Sequence, residues 1–232
     1  MSSTRDISVL SSSDLCNIEA LAEASLRQQD VALSKVRVYL DAGIDLEEIY
    51  LNRLVPTAHL LGSWWLSDRI GFAEVTLAIH SLQRIVYELS PQFLQGCDQK
   101  FNGYRAIFLT TPGSQHSFGT VMLSEFFKRE GWTVSNASAE PADEVLRELS
   151  QQWFEVAGFS VSSDRGVEAL RALILEARRT SLNPNVLFMV GGAMAELDHG
   201  LIATLGADLI GGDARDSERL AYHHVRNSKL AA

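Results

Sequence analysis

The chain has 232 residues, 46% of them hydrophobic, with a net charge of −9 and a pI of about 5.1. That length holds one large or two small domains with full cores, and no run approaches the ~18 consecutive apolar residues of a membrane-spanning helix. An acidic surface without a basic patch disfavours direct nucleic-acid binding, so any influence on DNA would pass through another protein. The polar start "MSSTRDISVLSSSD" lacks the basic-then-apolar order of a secretory signal. Cys16 and Cys97 make neither a disulfide framework nor a metal pattern, which points to a reducing, cytoplasmic setting.

Residues 1–90 read as a four-helix bundle. Ser13 and Asp14 open the first helix, with Leu15, Ile18, Leu21, Ala22 and Leu26 spaced for one face. Asp30 is expected to cap the second, which stops at Gly43. Asp45 starts the third, "DLEEIYLNRLVPTAHLLGSWWLSD", where Pro56 is expected to kink or break it. The fourth begins near Gly71 and carries Phe72, Val75, Ile79, Leu82, Val86 and Leu89 in alternating steps of three and four, a helix seam. Residues 91–103, with Pro91, Gly96, Asn102 and Gly103, interrupt the periodicity and read as a linker.

From Tyr104 onward the pattern becomes strand, loop, helix, repeated. The strands are "YRAIFLT", "WTVSNA", "FEVAGFS", "NVLFMV" and "ADLIGG"; the helices are "GTVMLSEFFKRE", "PADEVLRELSQQW", "GVEALRALILEARRT", "AELDHGLIATLG" and "ARDSERLAYHHVRN". Apolar strands alternating with helices predict a parallel sheet covered on both faces, an α/β domain of the flavodoxin-like, doubly wound kind over residues 104–232. Such sheets bind ligands outside the carboxyl ends of their strands. His116 lies there, in the small-residue loop "TTPGSQHSFG" after the first strand, and Ser160 to Ser163, Gly191–Gly192 and Gly211–Gly212 close three later strands. Each pair alone suits an ordinary turn, and His116 alone suits an exposed loop. Together they predict a small-walled slot beside an imidazole able to ligate a transition metal.

The second half resembles a cobalamin-binding domain, whose pattern is Asp-x-His-x-x-Gly, then Ser-x-Leu, then Gly-Gly. Here these read "SQHSFG", "SVS" and "GG", with Ser114 in the place of the Asp, Gly119 closing the first motif and Ser162 in the place of the Leu. The resemblance implies that His116 is the lower axial ligand of cobalt. It also implies that the cofactor's nucleotide tail runs beside Ser160, Ser162, Gly191 and Gly192, with Gly212 at the same rim. A carboxylate partner would raise the basicity of that histidine, and Ser114 does not supply one.

The helical half carries "WWLSDRIGFAE", with Trp64 and Glu74 separated by nine residues. This is similar to the Trp-nine-Glu-His signature of bundles that cap cobalamin in light-sensing regulators and methionine synthase, with Val75 in the place of the His. By that likeness Trp64 covers the upper ligand and Glu74 is a polar contact, whereas read bare both tryptophans, Trp64 and Trp65, suit core packing. His59 and His80 are second-ligand candidates or surface residues, and His199, His223 and His224 read as solvated. The stretch "DRIGFAEVTLAIHSLQRIV" resembles the stand-alone cobalamin-binding antirepressors of the AerR/PpaA type. That family implies a light-responsive regulator, not an enzyme, which holds adenosyl- or hydroxocobalamin and acts by contact with a DNA-binding repressor of photosynthesis genes. The competing readings are a corrinoid methyl carrier of a methyltransferase system and a haem sensor using His116. No Gly-x-Ser-x-Gly turn or phosphate-loop lysine points to a hydrolase.

Overall fold

The computed structural model describes residues 12–27, 29–95, 101–111, 117–139, 141–161, 166–192, 200 and 203–230. The chain divides into two compact units, Met1–Gly96 and Cys97–Ala232.

The first unit is helical: α1 (Ser12–Arg27), α2 (Gln29–Asp41), α3 (Leu46–Ile49), a π-helical turn (Tyr50–Leu54), α4 (Val55–Leu66) and α5 (Phe72–Gln95). Taking α3 to α4 as one continuous rod, the bundle has four members, and α1 packs on α2, α4 and α5. Ile18, Leu21, Val36, Ile49, Leu54, Leu61, Leu82 and Ile85 fill the core. The second helix ends as expected: Gly43 N donates to Leu40 O and Ile44 N to Tyr39 O, the paired bonds that close a helix on a left-handed residue. Asp45 accepts from Glu48 N at 2.8 Å and caps the third.

Several expectations for this unit need correction. Asp30 is not a cap, because α2 already begins at Gln29 and places it in the first turn. Pro56 does not break the third helix. The preceding π turn shifts the ladder, Val55 N donating to Tyr50 O, so Pro56 falls in the first turn of α4, where a missing N–H is tolerated, and Asn52 O accepts from Arg53 Nη1 at 3.1 Å. Arg53 in turn pairs with Asp14 at 2.9 Å. Leu15 is 40% exposed, since the buried face of α1 runs through Ile18, Leu21, Ala22 and Ser25. Phe72 is 61% exposed because it is the first residue of α5, ahead of the turn that reaches the core at Val75. Residues 91–95 are helical rather than linker: α5 continues through Pro91 to Gln95, held by Phe93, which is buried and stacks on Tyr50 with 4.6 Å between rings.

The second unit is a five-stranded parallel sheet in the order β2-β1-β3-β4-β5, the flavodoxin-like order with its reversal at β1 and β3. The strands are β1 (Arg105–Thr110), β2 (Thr133–Ser138), β3 (Val156–Ser160), β4 (Leu187–Gly191) and β5 (Leu209–Ile210). Among the described residues the longer helices are α6 (Phe118–Arg129), α7 (Ala142–Gln151), α8 (Val167–Thr180) and α9 (Ala214–Leu230). Alternate strand residues serve opposite faces, as a pleated strand requires. Ile107, Leu109, Ala157, Phe159, Phe188 and Val190 meet α7 and α8 through Val145, Leu149, Leu170 and Ile174. Ala106, Phe108, Val156, Leu187 and Met189 meet α6 and α9 through Phe127, Ala221 and Val225. Most of the stretch "AELDHGLIATLG", expected to be helical, lies outside the described residues.

Candidate functional site

Strand polarity brings the ends of β1, β3 and β4 to one rim, and hydrogen bonds tie those ends together. Thr111, directly after β1, donates through Oγ1 to Ser160 O at 2.7 Å, and Val161 N donates to Gly191 O at 2.8 Å. The rim is therefore sewn across β1, β3 and β4 at the point where strand order reverses.

Ser160 sits at the centre of this rim on the face that meets α6. A methyl group added at Gly119, in the first turn of α6, would lie 2.9 Å from Ser160 Oγ, so the helix start approaches the strand end at a distance only glycine allows. A methyl at Gly192 would lie 2.8 Å from Val161 O and 3.1 Å from Ser160 Oγ, and Gly192 has φ +99°, a conformation side chains rarely adopt. At Gly191 the position is roomier, with nothing among the described residues nearer than 3.8 Å. Gly212 follows β5, and its carbonyl accepts from Ser217 Oγ at 3.3 Å. Asp213 then caps α9, its Oδ1 accepting from Asp216 N at 2.8 Å. The sequence-identified residues Gly119, Ser160, Gly191 and Gly192 are thus brought together. The Ser160 hydroxyl has no partner among the described residues. Backbone close to the surface, a free hydroxyl and open space at Gly191 suit a slender polar group laid along the strand ends. They fit the nucleotide tail of a cobalamin. Ser114, His116, Ser162 and His199 lie outside the described residues.

In the helical unit the two upper-face candidates are each engaged. Trp64 is only 5% exposed, and the guanidinium of Arg69 lies 3.8 Å above its ring centroid. Glu74 is exposed and accepts from Gly71 N at 2.7 Å, the reciprocal half of a capping box at the start of α5. Trp65 is 37% exposed and meets Phe72 edge-on, with 6.5 Å between ring centres. His59, His80, His223 and His224 are all exposed. Among the described residues no group of three or more His, Cys, Asp or Glu could hold a metal ion.

Three features escaped the sequence. Thr111 could have been found, because it ends its strand as Ser160 ends its own. Arg69 over Trp64 had only proximity in the chain to suggest it. The buried pair Trp132 and Glu218 had no signal at all, being 86 residues apart; Trp132 Nε1 donates to Glu218 Oε1 at 2.8 Å. Burial pushes the Glu218 carboxyl up to about 7, against the opposing effect of the Trp132 hydrogen bond and with a small addition from Glu130.

The family model described as the B12 binding domain matches residues 104–221. The chain is 28% identical over 172 residues to the uncharacterized 20.5 kDa protein in the bchF-crtJ intergenic region of Rhodobacter capsulatus, covering 74% of this chain and 89% of that protein. Among solved structures it is similar to the Methanosarcina barkeri monomethylamine corrinoid protein, with a TM-score of 0.74 and 15% identity over 90% of this chain and 96% of that one. At that identity the likeness concerns the fold.

Proposed function

The chain belongs to the B12-binding domain family, and on that premise we propose that it is a cobalamin-dependent regulator that controls a DNA-binding repressor by protein–protein contact. Cobalamin binding is the property the domain carries. The regulatory role is supported by the relative in the bchF-crtJ region, a photosynthesis gene region, and by the AerR/PpaA resemblance of the helical half. No helix among the described residues is long and apolar enough to cross a membrane. On this reading the protein works in the cytoplasm, where a DNA-binding repressor would meet it, and catalyses no reaction of its own.

In this reading the chain's residues hold and report on the cofactor. By the resemblance His116 would donate an imidazole lone pair to the metal. Ser160 donates or accepts through its free hydroxyl, and Gly119, Gly191 and Gly192 keep the rim narrow for the tail. When bound, an alkylcobalamin supplies a cobalt–carbon bond that visible light breaks. A protein that reads this event must bind the two cofactor forms with different free energies, because a ligand indifferent to two states shifts neither. A coupling of about 1–3 kcal/mol suffices to move a repressor between free and captured.

The observation that carries the proposal is the convergence of Ser160, Gly119 and Gly192 at the strand-order reversal of a B12-binding domain. The test has two arms. Purified protein is loaded with adenosyl- and hydroxocobalamin and its absorption and affinity are measured beside His116→Ala, which should lose tight binding. Retention of the repressor on immobilised protein is then compared in darkness, in light and without cofactor. Full affinity in His116→Ala would reject the ligand assignment, and repressor capture indifferent to both cofactor and light would reject the regulatory role.

A further inference from the structure

The last helix, α9, is held to its sheet by few groups. Of its described residues only Ser217, Glu218, Ala221 and Val225 are buried, so two apolar side chains supply its share of the core with Phe127, Trp132 and Met189. The element before it, β5, is a two-residue edge strand beside β4. At the far end of α9, Lys229 Nζ lies 3.1 Å from Glu155 Oε1 and 4.3 Å from the ring centre of Tyr104. The lysine side chain is half exposed, and an ion pair with such a partner holds weakly. Removal of α9 breaks no strand pairing.

One of the four buried residues is a carboxylic acid with no cation beside it. Glu218 is 8% exposed and its Oε1 accepts from Trp132 Nε1 at 2.8 Å, while no Lys, Arg or His pairs with it among the described residues. The surrounding charges do not compensate. Glu130, at the end of α6, adds like charge. Glu125 and Lys128 of α6 pair with each other at 3.1 Å, and the same helix carries Arg129. From β4 come Leu187 and Met189, without charge. On α9 itself Arg219 pairs with Asp216 at 3.3 Å, Arg215 lies 4.0 Å from Asp213, and the ring of Tyr222 meets Tyr104. A carboxylate formed at this place would be met by one indole N–H and no positive charge, which makes its burial costly. Burial accordingly pushes the carboxyl up to about 7.

We propose that α9 is a pH-sensitive latch: once Glu218 loses its proton the helix leaves the sheet far more often, while the strands stay paired. Its release uncovers Phe127, Trp132 and Met189 and frees the turn at Gly212, whose carbonyl accepts from Ser217 Oγ in the docked helix. Below the ordinary carboxyl value of 4.5, docked and released helices both carry the proton and docking is at full strength. With rising pH the released form gives up its proton first, so docking weakens until about 7 and is constant above that.

Hydrogen–deuterium exchange of the full chain tests this, read by mass spectrometry on peptides from α9, β1 and β3 and corrected for the intrinsic pH dependence of amide exchange. Protection of α9 should fall about thirtyfold between about pH 5 and about pH 8. At the upper pH it should lie below that of β1 and β3 and be insensitive to low urea, the mark of local opening. In Glu218→Gln it should stay level over the same range, and in Lys229→Ala it should drop by one small factor at every pH. Protection of α9 equal to that of β1 and β3 at the upper pH would overturn local release. An undiminished fall in Glu218→Gln, or a profile flattened by Lys229→Ala, would overturn the role of the Glu218 carboxyl. Should Glu218→Gln fail to fold, a level α9 profile in the unaltered chain overturns the latch by itself.

Discussion

Replacing Glu218 with Gln should flatten the pH dependence of this protein's stability. Glu218, on α9, is 8% exposed, and its carboxyl oxygen accepts the indole N–H of Trp132. Burial raises its pKa from the ordinary 4.5 to about 7. The folded protein therefore keeps the proton over a range where the unfolded chain has released it. Stability from this group is fully present below 4.5, declines as pH rises, and is constant again once pH has passed 7. A shift from 4.5 to about 7 corresponds to at most about 3 kcal/mol, and to about 2 kcal/mol once solvent screening of a carboxyl near the surface is allowed for. Gln keeps an oxygen acceptor for Trp132 and carries no charge at any pH. Urea unfolding followed by far-ultraviolet circular dichroism, at intervals from about pH 5 to about pH 8, should show the unaltered chain losing most of that ~2 kcal/mol relative to Glu218→Gln. The approach of Glu130, the charged neighbour that adds to the shift, predicts that Glu130→Gln narrows the gap slightly. Parallel curves for the two proteins would show that the carboxyl is hydrated in the native state, and the burial argument would fail.

Gly192→Ala should cost about 1–3 kcal/mol in thermal melts, because the new methyl meets Val161 O at 2.8 Å in a backbone conformation of φ +99°. Gly119→Ala should weaken cobalamin binding and lower stability. Adding Ser160→Ala should recover much of that stability but not the binding, since the clash at 2.9 Å is with the Ser160 hydroxyl while its Cβ is 3.8 Å away. Asp14→Ala should destabilise the helical unit by about 2 kcal/mol, because it removes the 2.9 Å partner of the largely buried Arg53. Asp14→Ala combined with Arg53→Met should cost less than Asp14→Ala alone, a result chemical denaturation of the two variants can check.

Much of the architecture is legible in residue order because it follows from local periodicity. The apolar runs "RAIFLT", "VAGFS" and "LFMVG" became β1, β3 and β4 within two residues of the expected bounds. Asp45 capped its helix, and Gly43 closed the one before. The failures share a cause. Pro56 and Pro91 are breakers by intrinsic chemistry, yet both sit inside helices. Packing of Tyr50, Phe93 and their neighbours holds those helices, and the π turn leaves Pro56 in the first turn of α4, where it is tolerated. Phe72 and Leu15 obey the helical spacing but fall outside the turns that reach the core.

The candidate site divides in the same way. Gly119, Ser160, Gly191 and Gly192 could be picked from the chain, because small residues at strand ends need only strand polarity to share a rim, whereas His116 lies outside the described residues. That Ser160 is pressed on by Gly119 from one side and Gly192 from the other is a matter of helix-on-sheet packing. Glu74, which the resemblance offers as a polar contact for the cofactor, accepts from Gly71 N and caps its own helix, a local interaction three residues long.

Residue order by itself determined the two units, the parallel sheet, the rim at which the strand ends gather and the residue types available there, since each depends on neighbours within a few positions. Only the tertiary structure decided that Thr111 ties β1 to β3 and that Glu218 meets Trp132. Burial and long-range hydrogen bonds set those relations, and both arise from which surfaces pack together, a property that no local pattern in the chain encodes.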